Sequence, residues 1–277
     1  MSPNRPKFDK PPVIETVLSL QFAGLPGYST AHAGRFWSRY LDRPSGTDKK
    51  WTKVLDAVRL EDQFERFGQE EVWAPAIQMR LLPPTQSNRT QIVRADEERM
   101  IQIQDTRFIL NWKKGVGPYP TFAVLLPEFR ELLQMFGTFS ADEGLGALTF
   151  NQWEIIYVDQ FRKGELWNSP RDWNKILSGF GVPVAPREHI DFGSELMSTD
   201  WRFNLVGNLG RMYISARQQR IPPSEQEVLN VTFTARGPVT PEQTWEQGFT
   251  VGHDSLNDTF IMISSEEAKA SWQKGTR

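Results

Sequence analysis

The sequence predicts an α+β protein of two similar halves, residues 1–140 and 141–277. Each half reads strand, helix, meander, helix, giving antiparallel sheets with helices on one face. Three observations lead there. Apolar and polar residues alternate through Val13–Phe22 and again within Gly146–Phe161. Short strand-like runs separated by polar turns follow each of these, and each half closes on a segment whose apolar residues recur at threes and fours.

In the first run Ile14, Thr16, Leu18, Leu20 and Phe22 share one face, and Val13, Glu15, Val17, Ser19 and Gln21 share the other. Gly24–Gly27 is a turn, and Ser29 or Thr30 caps a helix through about Leu41. Trp51–Phe67 reads as a mixed helical or irregular segment. Strands are expected over Ala76–Leu82, Gln91–Ala95, Met100–Gln104 and Arg107–Trp112, spaced as an antiparallel meander. A helix covers about Thr121–Phe136, with Pro127 marking a kink or a helix start. In the second half Ser169-Pro170 starts a helix through Leu177. Strands follow at Ile190–Met197, Trp201–Val206, Arg211–Arg217 and Glu227–Arg236. Pro241 opens a long helix, and Ser264-x-x-Glu267 fits a capping box for a last short one. The first strands also align in residue type: Glu15 with Glu154 and Gln21 with Gln160, both offset by 139. A diverged internal duplication explains this; two unrelated α+β domains are the alternative.

Composition narrows the functional classes. The chain has 277 residues, 39% of them hydrophobic, and a formal net charge of −2. The first half carries 19 basic and 16 acidic residues and the second 13 and 18, so neither is a strongly basic nucleic-acid domain. With no cysteine, thiolate metal sites, disulfides and cysteine nucleophiles are excluded. The polar, proline-punctuated opening holds no signal-like apolar run, and no stretch approaches the roughly 18 apolar residues of a membrane span. A cytoplasmic protein with no membrane partner is therefore expected.

The chain opens with Phe8 and Pro11-Pro12-Val13-Ile14-Glu15-Thr16. Leu110-Asn111 precedes Tyr119-Pro120, and the chain closes with His253-Asp254, Phe260 and Trp272. Together these motifs resemble a sporadically distributed bacterial family of uncharacterised proteins. The resemblance spans nearly the whole chain, but each motif is short. It implies no activity, cofactor or catalytic residue to carry onto positions here. Separately, the element order of each half is similar to a repeat of the TATA-binding-protein type, duplicated into a saddle, which is an analogy of fold alone.

Phosphate-loop, zinc-protease and nucleophile-elbow patterns are absent, and the short Gly115-Val-Gly117 and Gly179-Phe-Gly181 runs read as turns. No metal site or cofactor is expected. His32, His189 and His253 are the three histidines. His253 beside Asp254 lacks the further ligands a metal needs and reads as a histidine hydrogen-bonded within helix packing. Glu15 and Glu154 would meet near a pseudo-two-fold axis, where two close carboxylates share a proton or hold a cation. The alternative is that each pairs with an arginine.

Arg80, Arg94, Arg107, Arg202, Arg211, Arg217 and Arg236 all fall in expected strands. Arg211, Tyr213, Ser215 and Arg217 alternate onto one face, as do Thr232, Thr234 and Arg236. If helices cover one side only, these rows form an open polar face able to grip phosphates or an acidic protein surface, unless they are simply solvated. The sequence is thus read as a non-catalytic interaction or scaffold module that binds a protein partner or itself. Nucleic-acid or polyanion binding through Arg202, Arg211, Tyr213, Arg217 and Arg236 is one alternative. A hydrolase using Glu15, Glu154 or His253 is another, and a small-ligand receptor with an apolar cavity a third.

Overall fold

Among the residues that the structure describes, two strands from distant parts of the sequence form the centre of a nine-stranded, wholly antiparallel sheet. The structure is a computed structural model describing residues 6, 8–42, 50–62, 65, 67, 89–180 and 198–273. Its strands are β1 (Val13–Phe22), β2 (Trp51–Ala57), β3 (Arg89–Arg94), β4 (Arg99–Gln104), β5 (Arg107–Lys113), β6 (Phe150–Arg162), β7 (Ser198–Asn204), β8 (Arg211–Ile221) and β9 (Gln226–Pro238). The helices are α1 (Thr30–Phe36), α2 (Phe122–Asp142), α3 (Trp245–Ile263) and α4 (Glu266–Gln273). The sheet order is β2-β3-β4-β5-β1-β6-β9-β8-β7. One continuous sheet therefore crosses the 140/141 boundary through the β1–β6 ladder.

Period-two patterning decides which side of the sheet is apolar. Leu18, Leu20 and Phe22 of β1, Phe108, Leu110 and Trp112 of β5, Trp153 and Ile155 of β6 and Phe233 and Ala235 of β9 are buried beneath the helices. Phe129 and Phe136 of α2 meet Phe108, and Phe260 of α3 meets Phe233. Phe36 of α1 packs on Phe136 and Phe139, and Trp272 of α4 on Phe161. The described helices therefore share one side. α3 comes so close that a Cβ on Gly248 would lie 2.3 Å from Trp153 Nε1 and one on Gly252 2.7 Å from Ile155. The glycines make that approach possible.

Several expectations are corrected. Trp51–Ala57 is a strand at the sheet edge. It puts almost nothing into the core, so it carries no apolar alternation, and pairing with β3 sets its conformation. Pro127 does not start α2, which begins at Phe122 and runs through it; Pro127 and Ala123, four residues before it, are both on the exposed side. Pro170–Lys175 is a short 3₁₀ turn capped by Ser169. α3 begins at Trp245, where Thr244 Oγ1 accepts from Gln247 N at 3.3 Å, rather than at Pro241. Ser265, not Ser264, receives the Ala268 N–H at the start of α4, while Ser264 Oγ donates back to Phe260 O. The strands expected at Ala76–Leu82 and Ile190–Met197, with Arg80 and His189, lie outside the described residues.

Candidate functional site

The side of the sheet opposite the helices carries the polar rows. Antiparallel register sets Ser19, Glu154, Arg236, Arg211 and Asn204 side by side across β1, β6, β9, β8 and β7. The next row brings Thr234, Tyr213 and Arg202 together. Two guanidiniums directly opposite each other repel, so the Arg211–Arg236 pair calls for an anion.

Glu65 provides it. Its Oε1 lies 2.7 Å from Arg236 Nη1 and its Oε2 3.0 Å from Arg211 Nη1. Tyr213 donates its hydroxyl to Oε2 at 2.6 Å. Arg236 also reaches Glu154 Oε2 at 2.8 Å, and Arg107 Nη1 lies 3.8 Å from Glu154 Oε1. The result is an alternating chain, Arg107–Glu154–Arg236–Glu65–Arg211, across the middle of the sheet. Arg107 Nη2 also donates to Gln21 Oε1 at 2.6 Å. Arg236 and Arg202 lie over the Tyr213 ring, and Arg211 over the Phe67 ring, a favourable setting for delocalised cations.

Burial makes these contacts strong. Arg211 is 2% exposed and Arg107 3%. Burial lowers the Arg107 pKa, and the charges of Glu154 and Asp62 work the other way. The Tyr213 phenol is pushed up to about 12, first by burial, then by its bond to Glu65 and that group's charge. The Nε atoms of Arg107 and Arg236 are buried and find no acceptor among the described residues.

The face expected to be open is therefore covered at this place. Residues 59–62 are tied to the β4–β5 end of the same face. Gln104 bonds both the Leu60 N–H and the Leu60 carbonyl at 3.1 Å, Arg59 pairs with Asp105 and Asp62, and Thr106 donates to Asp62. The β2–β3 connection thus lays polar groups onto strands that pattern alone leaves bare.

The structure brings together Arg202, Arg211, Tyr213 and Arg236 but not Arg217, which pairs near the surface with Asp200 at 2.8 Å. Glu15 and Glu154 share the polar face but do not meet. Glu15 stands opposite Val158 and Glu154 opposite Ser19, four residues or about 13 Å apart along β1. Glu15 accepts from Asn111 Nδ2 at 2.6 Å, the end of an amide ladder from Gln91 through Gln102. His253 lies on the opposite side of the sheet, its Nδ1 2.7 Å from the Tyr157 hydroxyl and its ring stacked on Phe122 at 4.2 Å. The sheet separates the histidine from the two carboxylates. Among the described residues no three His, Asp or Glu side chains form a metal cluster, and no helix is long and apolar enough to cross a membrane.

Sequence reasoning missed Glu65, which sits in a segment without periodicity. The available signal was electrostatic: two arginines on one face of the sheet imply a counter-ion, though not where in the chain it lies. No family model, no curated protein and no solved structure matches this chain.

Proposed function

We propose that the chain is a non-catalytic interaction module of a bacterial cytoplasmic system, holding an acidic segment of a protein partner, or of a second copy, on the arginine face of its sheet. One observation carries this reading: Arg211, Arg236 and Tyr213 converge on a single carboxylate, Glu65, with three contacts of 2.6–3.0 Å. Guanidinium forks with a phenol between them match the geometry of a carboxylate and are rigidly supported by the strands beneath. The groups suited to hydrolysis are engaged elsewhere: Glu154 by Arg107 and Arg236, Glu15 by Asn111, His253 by Tyr157.

An internal duplication accords with the same layout. At the offset of 139, Val17 and Ile156 are equivalent positions, and they face each other across the β1–β6 ladder. From that seam each half runs outward through its last strand to its earliest ones. The seam is the two-fold centre such a copy would have.

The test is fluorescence polarisation with labelled peptides rich in Glu, rich in Lys, or uncharged, on the unaltered protein and on Glu65→Gln. Only the Glu-rich peptide should bind, and Arg211→Gln or Arg236→Gln, confirmed folded by circular dichroism, should weaken it at least tenfold. The reading fails if neither protein takes the acidic peptide, or if the arginine variants bind it equally well. Tight binding of an oligonucleotide with a steep loss in salt would favour the polyanion alternative instead.

A further inference from the structure

The site just described is full. Its occupant comes from the chain itself, and the manner of its delivery is unusual. β2 and β3 are neighbours in the sheet, yet residues 58–88 join them, where a hairpin needs only about 2–5 residues. Reversing the chain does not require a connection of that length. Glu65 lies within it and reaches across to β8 and β9 at the other side of the sheet, 146 and 171 positions away in sequence.

We propose that Glu65 is an internal surrogate for the ligand: the Arg211–Tyr213–Arg236 triad is a carboxylate receptor, and a partner's acidic side chain enters by taking Glu65's place. This rests on the reading above and adds to it a competition between two occupants.

Three features support exchange over a purely structural ion pair. Every group that grips Glu65 sits on β8 or β9, while Glu65 alone comes from a connection, so the receptor stays assembled when the carboxylate leaves. Once it leaves, Arg211 and Arg236 stand opposite each other without the carboxylate that bridges them, and like charges in that register draw another anion into its place. The buried Nε atoms of Arg107 and Arg236 have no acceptor among the described residues, so the cluster has more donors than Glu65 fills. Arg107 is almost wholly buried and belongs to this cluster through Glu154.

A carboxylate is the ligand chemistry because the present occupant is one. Each of its oxygens meets a different arginine, and the phenol reaches only Oε2.

Two measurements test this. In the first, the Glu-rich peptide is titrated into the unaltered protein and into Glu65→Gln, which keeps the shape and removes the charge. Removal of the competitor should tighten binding at least tenfold. Equal affinities would overturn the competition while leaving the acidic-partner reading standing, and no binding to either would overturn both.

The second measurement needs no peptide. Glu65→Ala should melt at a lower temperature, and formate should raise that temperature saturably, well beyond chloride at the same ionic strength. The gain should shrink in Glu65→Ala with Tyr213→Phe. Equal effects of formate and chloride would overturn the receptor. Saturation by inorganic phosphate at lower concentration than formate would overturn the assignment to carboxylates.

Discussion

Arg211 and Arg236 stand directly opposite each other on neighbouring antiparallel strands. Like charges in that register repel, and the pair is tolerated because one carboxylate bridges it while Glu154 neutralises Arg236 from behind. The buried polar chain is only as stable as its least replaceable member.

That member is Arg236, which touches both glutamates. Arg236→Ala leaves Glu65 and Glu154 each without one partner in a largely buried setting. A stability loss of about 3–5 kcal/mol is expected from urea denaturation. Arg217→Ala removes an exposed pair with Asp200 and should change stability by less than about 1 kcal/mol. Comparable losses in the two variants would contradict the network described.

Tyr213→Phe removes one hydrogen bond to an ionised acceptor and nothing else of the ring, so the stacking with Arg236 persists. A loss of roughly 1.5–3 kcal/mol follows for a bond to a charged group. Thermal melts of the two proteins at neutral pH check it, and an unchanged midpoint would show that the hydroxyl contributes nothing.

Asp159 gives the pH dependence. It is buried on the helix side of β6, and burial pushes its pKa up to about 8. Between the unfolded value of about 4 and that point, the folded chain holds a proton that the unfolded chain has released. Stability therefore falls as pH rises across this window, by up to about 1.4 kcal/mol for each pH unit, and levels off above it. Asp159→Asn should flatten the slope and be the more stable protein at pH 8. Parallel stability–pH curves for the two proteins would refute this.

Helix propensity alone predicts that Gly248→Ala stabilises α3 by about 1 kcal/mol. The structure predicts the opposite sign, because the added Cβ meets the Trp153 indole at 2.3 Å. A net loss of roughly 1–3 kcal/mol is expected from overpacking. Adding Trp153→Phe, which shortens the ring, should restore part of that loss in a double-mutant cycle.

What was legible in the sequence was whatever a repeating period encodes. Leu18, Leu20 and Phe22 announce a buried strand face, and Phe129, Leu132, Leu133 and Phe136 a buried helix stripe; both are found. The shared face of Arg211, Tyr213 and Arg236 follows from the same alternation. Period is silent where neither face of a strand is buried, so the edge strand β2 was read as irregular. It is equally silent about contacts between residues far apart in the chain. Glu65 reaches Arg236 through the path of a connection, and no local pattern specifies where a connection lands. For the same reason the separation of Glu15 from Glu154 came only with the register of β1 on β6.

The β1–β6 ladder has a consequence for any attempt to divide the molecule. Both strands are the innermost of their groups, bonded along almost their whole length from Val13 to Phe22. A chain cut after α2 would yield two fragments, each ending in a long bare strand edge with its donors and acceptors exposed to water. Such fragments should not persist as separate monomers. They would recombine with each other, or close the gap by self-pairing, because the seam satisfies backbone groups on both sides at once.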